Sequence, residues 1–181
     1  MLIAVSRYNP RMKAVVISKQ GSPVAPNVKV VNDWPVPRLV PGEVLVRTEA
    51  SALNHLDLWV GMGMPGLELK YPRIGGSDGV GIVEAVGHEV DSAWIGKRVI
   101  LNAAIPQNDP PHPDRAPSPP DLLMIGEHLH GTLAEKFIAP TANVLDIGDA
   151  NPVEAAAFGL VHLTAWRMMW TRAQLRPGQW G

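Results

Sequence analysis

Three side chains able to do chemistry stand within four positions of one another: Asn54 with an amide, His55 with an imidazole and Asp57 with a carboxylate. They interrupt an otherwise apolar stretch, and a polar cluster in that setting needs either partners or a function. Spacing alone leaves two readings open. Asn54 or Asp57 caps a helix N-terminus, or the group forms part of a site. Further along, Ser77 and Asp78 stand at the mouth of a glycine-rich turn that enters a buried strand. Their plain alternative is to satisfy backbone groups of that turn.

The other candidates carry less. His128 and His130 form an H-x-H beside Glu127. Two ligands on one short loop make a poor metal site, and a turn-stabilising pair is the better expectation. His88 follows Gly87 in a turn, His112 lies in a proline-rich loop, and His162 reads as a packed helix histidine. The run 61–66 satisfies G-x-G-x-x-G, yet that fingerprint works only where a strand ends and a helix begins. Pro65 sits inside it and no long helix follows, so a flexible loop is expected there. The chain has no cysteine, which excludes disulfides and every zinc site built on thiolates.

These residues must be held by elements that the remaining sequence supplies. The 181 residues suit one globular domain. Sixteen Lys and Arg against seventeen Asp and Glu give a formal net charge of −1, so no global field draws the chain to nucleic acid or an anionic membrane. The N-terminal apolar run of four residues is too short for a signal-peptide core, and a cytoplasmic protein is expected. Short β-branched segments at 13–17, 44–48, 80–86, 98–101, 137–138 and 144–147, punctuated by Pro and Gly, predict a mostly antiparallel sheet or partial barrel. Residues 106–120 hold seven prolines and read as a solvated extended loop. After Asp149 the texture turns helical. Asn151-Pro152-Val153-Glu154 is an N-terminal cap sequence, Gly159 is expected to end or kink the first helix, and a second stretch follows at 161–174. Leu163, Trp166, Met169 and Trp170 recur there near helical spacing, a pattern of core or interface.

Several motifs in order carry a resemblance: Met12-Lys-Ala-Val-Val, Pro41-Gly42-Glu-Val-Leu-Val, Leu53-Asn-His-Leu-Asp57, Gly76-Ser-Asp-Gly-Val-Gly81, Gly131-Thr-Leu-Ala-Glu, and Glu154-Ala-Ala-Ala with Leu163-Thr164-Ala-Trp166. Over residues 12–181 the chain resembles the GroES-like catalytic domain of the medium-chain dehydrogenase/reductase family. The resemblance implies a mostly β fold, a distorted partial β-barrel with C-terminal helices leading toward a Rossmann domain. The implied organisation is an N-terminal extension over 1–11, the GroES-like domain over 12–150, and a helical connection over 151–181. On that expectation the 181 residues form the catalytic-domain portion of a longer enzyme and are inactive alone.

Zinc-dependent members place a cysteine where this sequence has Asn54, a His-Glu pair where it has Ser77-Asp78, and a second cysteine near Leu160. The resemblance therefore points to the zinc-free, quinone-reductase-like branch, with hydride passing from NADPH or NADH to a quinone, enone or aldehyde-type substrate. It implies Asn54 as the donor that polarises or positions substrate, Asp57 as the residue orienting the cluster, and Ser77 and Asp78 as further catalytic-site residues. His55 and Thr164 are the implied cofactor contacts, with most of the cofactor held by the nucleotide-binding domain. Metal residues are expected to be none, and the partners are a small-molecule substrate and a homo-oligomer. Two alternatives stand beside this reading: a non-catalytic module that reuses the barrel, and a zinc alcohol dehydrogenase with atypical ligands using Asp57, Asp78 and His55.

Overall fold

The computed structural model describes residues 10–107 and 122–179. The sequence of elements begins with β1 (Arg11–Ile17) and β2 (Val28–Pro35), then β3 (Glu43–Ala52) and α1 (His55–Met62). It continues with β4 (Arg73–Ile74), β5 (Asp78–Val86), β6 (Arg98–Leu101), β7 (Ala104–Pro106) and β8 (Leu122–Met124). β9 (Lys136–Pro140), β10 (Val144–Asp146) and α2 (Pro152–Trp166) complete the order, and a π-helical segment, Arg167–Arg172, extends α2. Five strands form the main sheet in the order β10-β6-β5-β3-β9, and β2-β1-β4 form a second sheet. Every pairing between named strands is antiparallel, and the curled main sheet is the partial barrel that the short strands predict.

Strand alternation builds the core. Val44 and Val46 are fully buried on one face of β3, whereas Arg47 turns outward. Val83 of β5, Val99 of β6 and Phe137 of β9 meet them. Each such valine contributes about 1.5–3 kcal/mol by leaving water. A smaller cluster of Met12, Ala14, Val16 and Ile74 closes the second sheet. β2 escaped the sequence reading because it is an outer strand with most residues exposed, so no apolar alternation marks it.

The helices differ from expectation in two ways. α2 runs through Gly159 without a break, so that glycine neither ends nor divides it. Its N-terminus is as predicted: Asn151 Oδ1 accepts from Val153 N (2.9 Å) and Glu154 N (3.4 Å), and Pro152 occupies the first turn. The Trp and Met stripe is not core. Leu163, Trp166, Met169 and Trp170 are all exposed, and the first three line an open groove between α2 and the β6–β10 end of the sheet. Within the G-x-G-x-x-G run, Gly61 lies in the last turn of α1 and Gly63 caps its C-terminus. The run thus follows a helix instead of opening one, the reverse of a dinucleotide loop. β1 begins at Arg11, and Pro10 O accepts from Val36 N. Most of the proposed extension and of the proline-rich loop, His112 included, lies outside the described residues.

Candidate functional site

Sheet register assembles the site. Ala52, the last residue of β3, pairs with Asp78, the first of β5, so Asn54 emerges two residues later beside Asp78. Asn54 is extended (φ −123°, ψ 162°) and forms the N-cap of α1. Asp57 supplies the returning half of a capping box: its Oδ2 accepts from Asn54 N at 2.8 Å. Its other oxygen, Oδ1, accepts from Gly76 N at 2.8 Å. One carboxylate therefore ties the first turn of α1 to the glycine turn before β5. The capping and site readings of Asn54 and Asp57 turn out to be compatible.

The Asn54 amide reaches across to a second carboxylate. Nδ2 donates to Asp78 Oδ2 at 2.8 Å, and Asp78 Oδ1 accepts from the backbone N–H of Leu160, midway along α2, at 2.6 Å. Asp78 is only 1% exposed. Burial pushes its carboxyl above the ordinary range; the bonds from Asn54 and Leu160 oppose that rise, and the Asp57 charge adds to it. Gly159 makes the approach of α2 possible, since a β-carbon there would stand 2.3 Å from Asp78 Oδ1. Behind this cluster the fully buried Thr132 donates through Oγ1 to Asp78 O at 2.6 Å, and Ser51 Oγ donates to Thr132 O at 3.0 Å.

Residues 40–149 match the family model for the alcohol dehydrogenase GroES-like domain. The chain belongs to that family. It is 34% identical over 148 residues to an alcohol dehydrogenase of Geobacillus stearothermophilus, covering 80% of this chain and 43% of that one. A solved NAD-dependent alcohol dehydrogenase superposes with a TM-score of 0.83 at 38% identity, covering 92% of this chain and 49% of its own. A thermostable alcohol dehydrogenase from Pyrobaculum aerophilum, solved with cobalt and zinc bound, gives a TM-score of 0.77 at 29% identity, covering 93% of this chain and 49% of that one. The chain thus spans about half the length of these relatives or less.

Within this GroES-like domain the expected site residues separate into groups. Asn54, Asp57 and Asp78 form one hydrogen-bonded unit. His55 follows on the exposed first turn of α1, with its ring 4.9 Å from that of Trp59. Thr164 is exposed on α2, one turn beyond Leu160 and so on the same side of the helix. Ser77 stands apart: it is 1% exposed, and its Oγ has no hydrogen-bond partner among the described residues. Its hydroxyl packs against Gly126, where a β-carbon would stand 2.5 Å away. Ser77 and Asp78 are both buried, and the Asp78 carboxylate bonds to the Asn54 side chain and to the Leu160 N–H of α2.

Two of the remaining histidines, His128 and His130, hold backbone. His128 Nδ1 accepts from Met124 N at 3.1 Å, and His130 Nδ1 accepts from Ile74 N at 3.3 Å. His162 stacks on Phe158 with ring centroids 3.7 Å apart, on an exposed face of α2 and not in a packed core. A groove of about 630 Å³, walled by Leu101, Val144, Phe158, Leu163, Trp166 and Met169, runs along α2 and borders the polar unit only at Gly159. Sequence reasoning missed the Leu160 N–H, Gly159 and Thr132. A backbone donor leaves no trace in residue type, whereas Gly159 is visible as a glycine inside a helical pattern but suggests a helix end or kink.

The donor set does not suit a tetrahedral metal ion. Position 54 offers an amide, 77 a hydroxyl walled in by Gly126, and 160 a leucine. Both oxygens of Asp78 already accept N–H groups. Among the described residues no three His, Asp or Glu side chains converge to hold an ion. Nor is any described helix long and apolar enough to cross a membrane.

Proposed function

We propose that this chain forms the catalytic-domain portion of a zinc-independent NAD(P)-dependent oxidoreductase that reduces a quinone, enone or aldehyde-type substrate. The observation that carries the reading is the Asn54 amide, held at 2.8 Å by Asp78 while the residue itself stays partly open to solvent. One Nδ2 proton is committed to Asp78. The second is free to donate to a substrate oxygen as negative charge develops there. When bound, a nicotinamide supplies the hydride. His55 and Thr164, both exposed and flanking the polar unit, are the residues of this chain that would contact that cofactor. An NAD-dependent relative at 38% identity supports this choice of cofactor.

Asp57 and Asp78 act as holders: they fix Asn54 by its backbone N–H and its side chain, so the amide loses little freedom on binding substrate. The test is reductase activity of the full-length gene product with NADH and NADPH across a carbonyl and quinone panel. Turnover that survives exhaustive chelation and falls in Asn54 variants is expected. Absence of turnover on the whole panel, or turnover restored only by added zinc, would overturn the reading.

A further inference from the structure

The carboxylate of Asp78 bonds to two positions far apart in the chain, 54 on the first helix and 160 within the second. By the family resemblance zinc-dependent members carry one cysteine at position 54 and a second near position 160. We propose that Asp78 takes the structural place of the ion: it draws the N-terminus of α1 and the middle of α2 onto the start of β5, and thereby positions the Asn54 amide. Gly159 is the residue that makes room for it.

Three observations converge on this assignment. The bonds form a complete set, one donor to each carboxylate oxygen, at 2.8 and 2.6 Å. The carboxylate that accepts them is buried, with Asp78 1% exposed, so little water competes for its oxygens. The contact is also shaped for the purpose, because any side chain at 159 would enter the space of Oδ1. An isolated buried carboxylate is costly, and its retention is accounted for by partners that satisfy both oxygens. A capping role does not account for this, since Asp78 accepts from a backbone N–H in the interior of α2 and, at the start of α1, from the side chain of the cap residue and not from a helix N–H.

Asp78 is on this argument a positioning residue, and only the last step, the effect on turnover, rests on the proposed oxidoreductase activity. The experiment therefore has two arms. In the first, the amide proton of Leu160 and the side-chain amide protons of Asn54 are followed by NMR in the full chain. Metal content is measured by elemental analysis of the same sample. The Leu160 amide is expected far downfield in wild type and shifted upfield in both Asp78→Asn and Gly159→Ala, with zinc well below one per chain. An unperturbed Leu160 amide in both variants, or one tightly bound zinc per chain, overturns the proposal.

The second arm uses the activity panel. Gly159→Ala changes no polar group, yet it should lower kcat about 10²-fold with KM little altered, the size of losing one aligned donor. In an Asn54→Ser background the same change should cost almost nothing further, because the group that it misaligns is gone. Additive losses, or a loss confined to thermal stability, would assign Asp78 a purely structural role and overturn the positioning claim. If no substrate on the panel is turned over, the oxidoreductase reading fails, while the first arm still decides whether the carboxylate ties the two helices.

Discussion

Trp166 and Trp170 stack with ring centroids 5.4 Å apart and planes 21° from parallel, and each remains more than half exposed, at 59% and 58%. Phe158, Met168 and Met169 stand exposed on the same helical segment. A contiguous apolar surface of this kind promotes association. The sedimentation coefficient of the 181-residue chain should rise with concentration, and the double change Trp166→Gln and Trp170→Gln should abolish that rise. A clean monomer at all concentrations, with tryptophan emission characteristic of buried rings, would contradict the exposed face.

Asn54→Ser separates capping from catalysis. Serine caps a helix as well as asparagine does, but Asp78 Oδ2 loses its donor, so stability should fall by only about 1 kcal/mol. Turnover should fall about 10²- to 10³-fold, the usual loss for one donor to a developing oxyanion. Unchanged kcat would remove Asn54 from the chemistry.

Asp57→Ala strips acceptors from two backbone N–H groups, those of Asn54 and Gly76, the second of which is buried. Unsatisfied buried donors are expensive, and the loss should be roughly 3 kcal/mol, read as a lower urea midpoint at constant m-value. A midpoint within error of wild type would show that water replaces the carboxylate at both donors.

Stability and turnover should respond to acid in opposite directions. Burial raises the folded-state pKa of Asp78, with the facing Asp57 charge adding to the rise, so the folded chain holds that proton more tightly than the unfolded chain does. This group's contribution to stability is therefore fully present below the unfolded pKa and is lost as pH rises through the raised folded value. Asp78→Asn cannot titrate at this position, so wild type should lose stability relative to it over that window. Turnover should instead fall on acidification, because protonated Asp78 no longer accepts from both Asn54 and Leu160. Thermal melts and rate profiles over a common pH series check both; parallel trends would refute the assignment.

Much of the fold was legible because its signals are local. Alternation marked β3, β5 and β6, and the Asn151-Pro152 start of α2 carries its own cap. The residue types of the hydrogen-bonded candidate cluster, Asn54, Asp57 and Asp78, were legible, and the ordered motifs pointed to the family. What stayed hidden was contact. The bond from Leu160 to Asp78 spans 82 residues and uses a backbone N–H, which any residue except proline would provide. Ser77, grouped with Asp78 by adjacency, is set apart by its packing against Gly126. The exposed tryptophans show the limit of periodicity: it identifies an apolar face without saying what covers that face.

The bond set joining Asn54, Asp78 and Leu160 contains only nitrogen, oxygen and hydrogen, in a chain that has no cysteine. No thiol is present for peroxide to attack. A carboxylate and two N–H groups also assemble as the chain folds, without a supply of any trace element. Under oxidant exposure or zinc starvation, this junction would keep its form while a thiolate–metal centre lost its own.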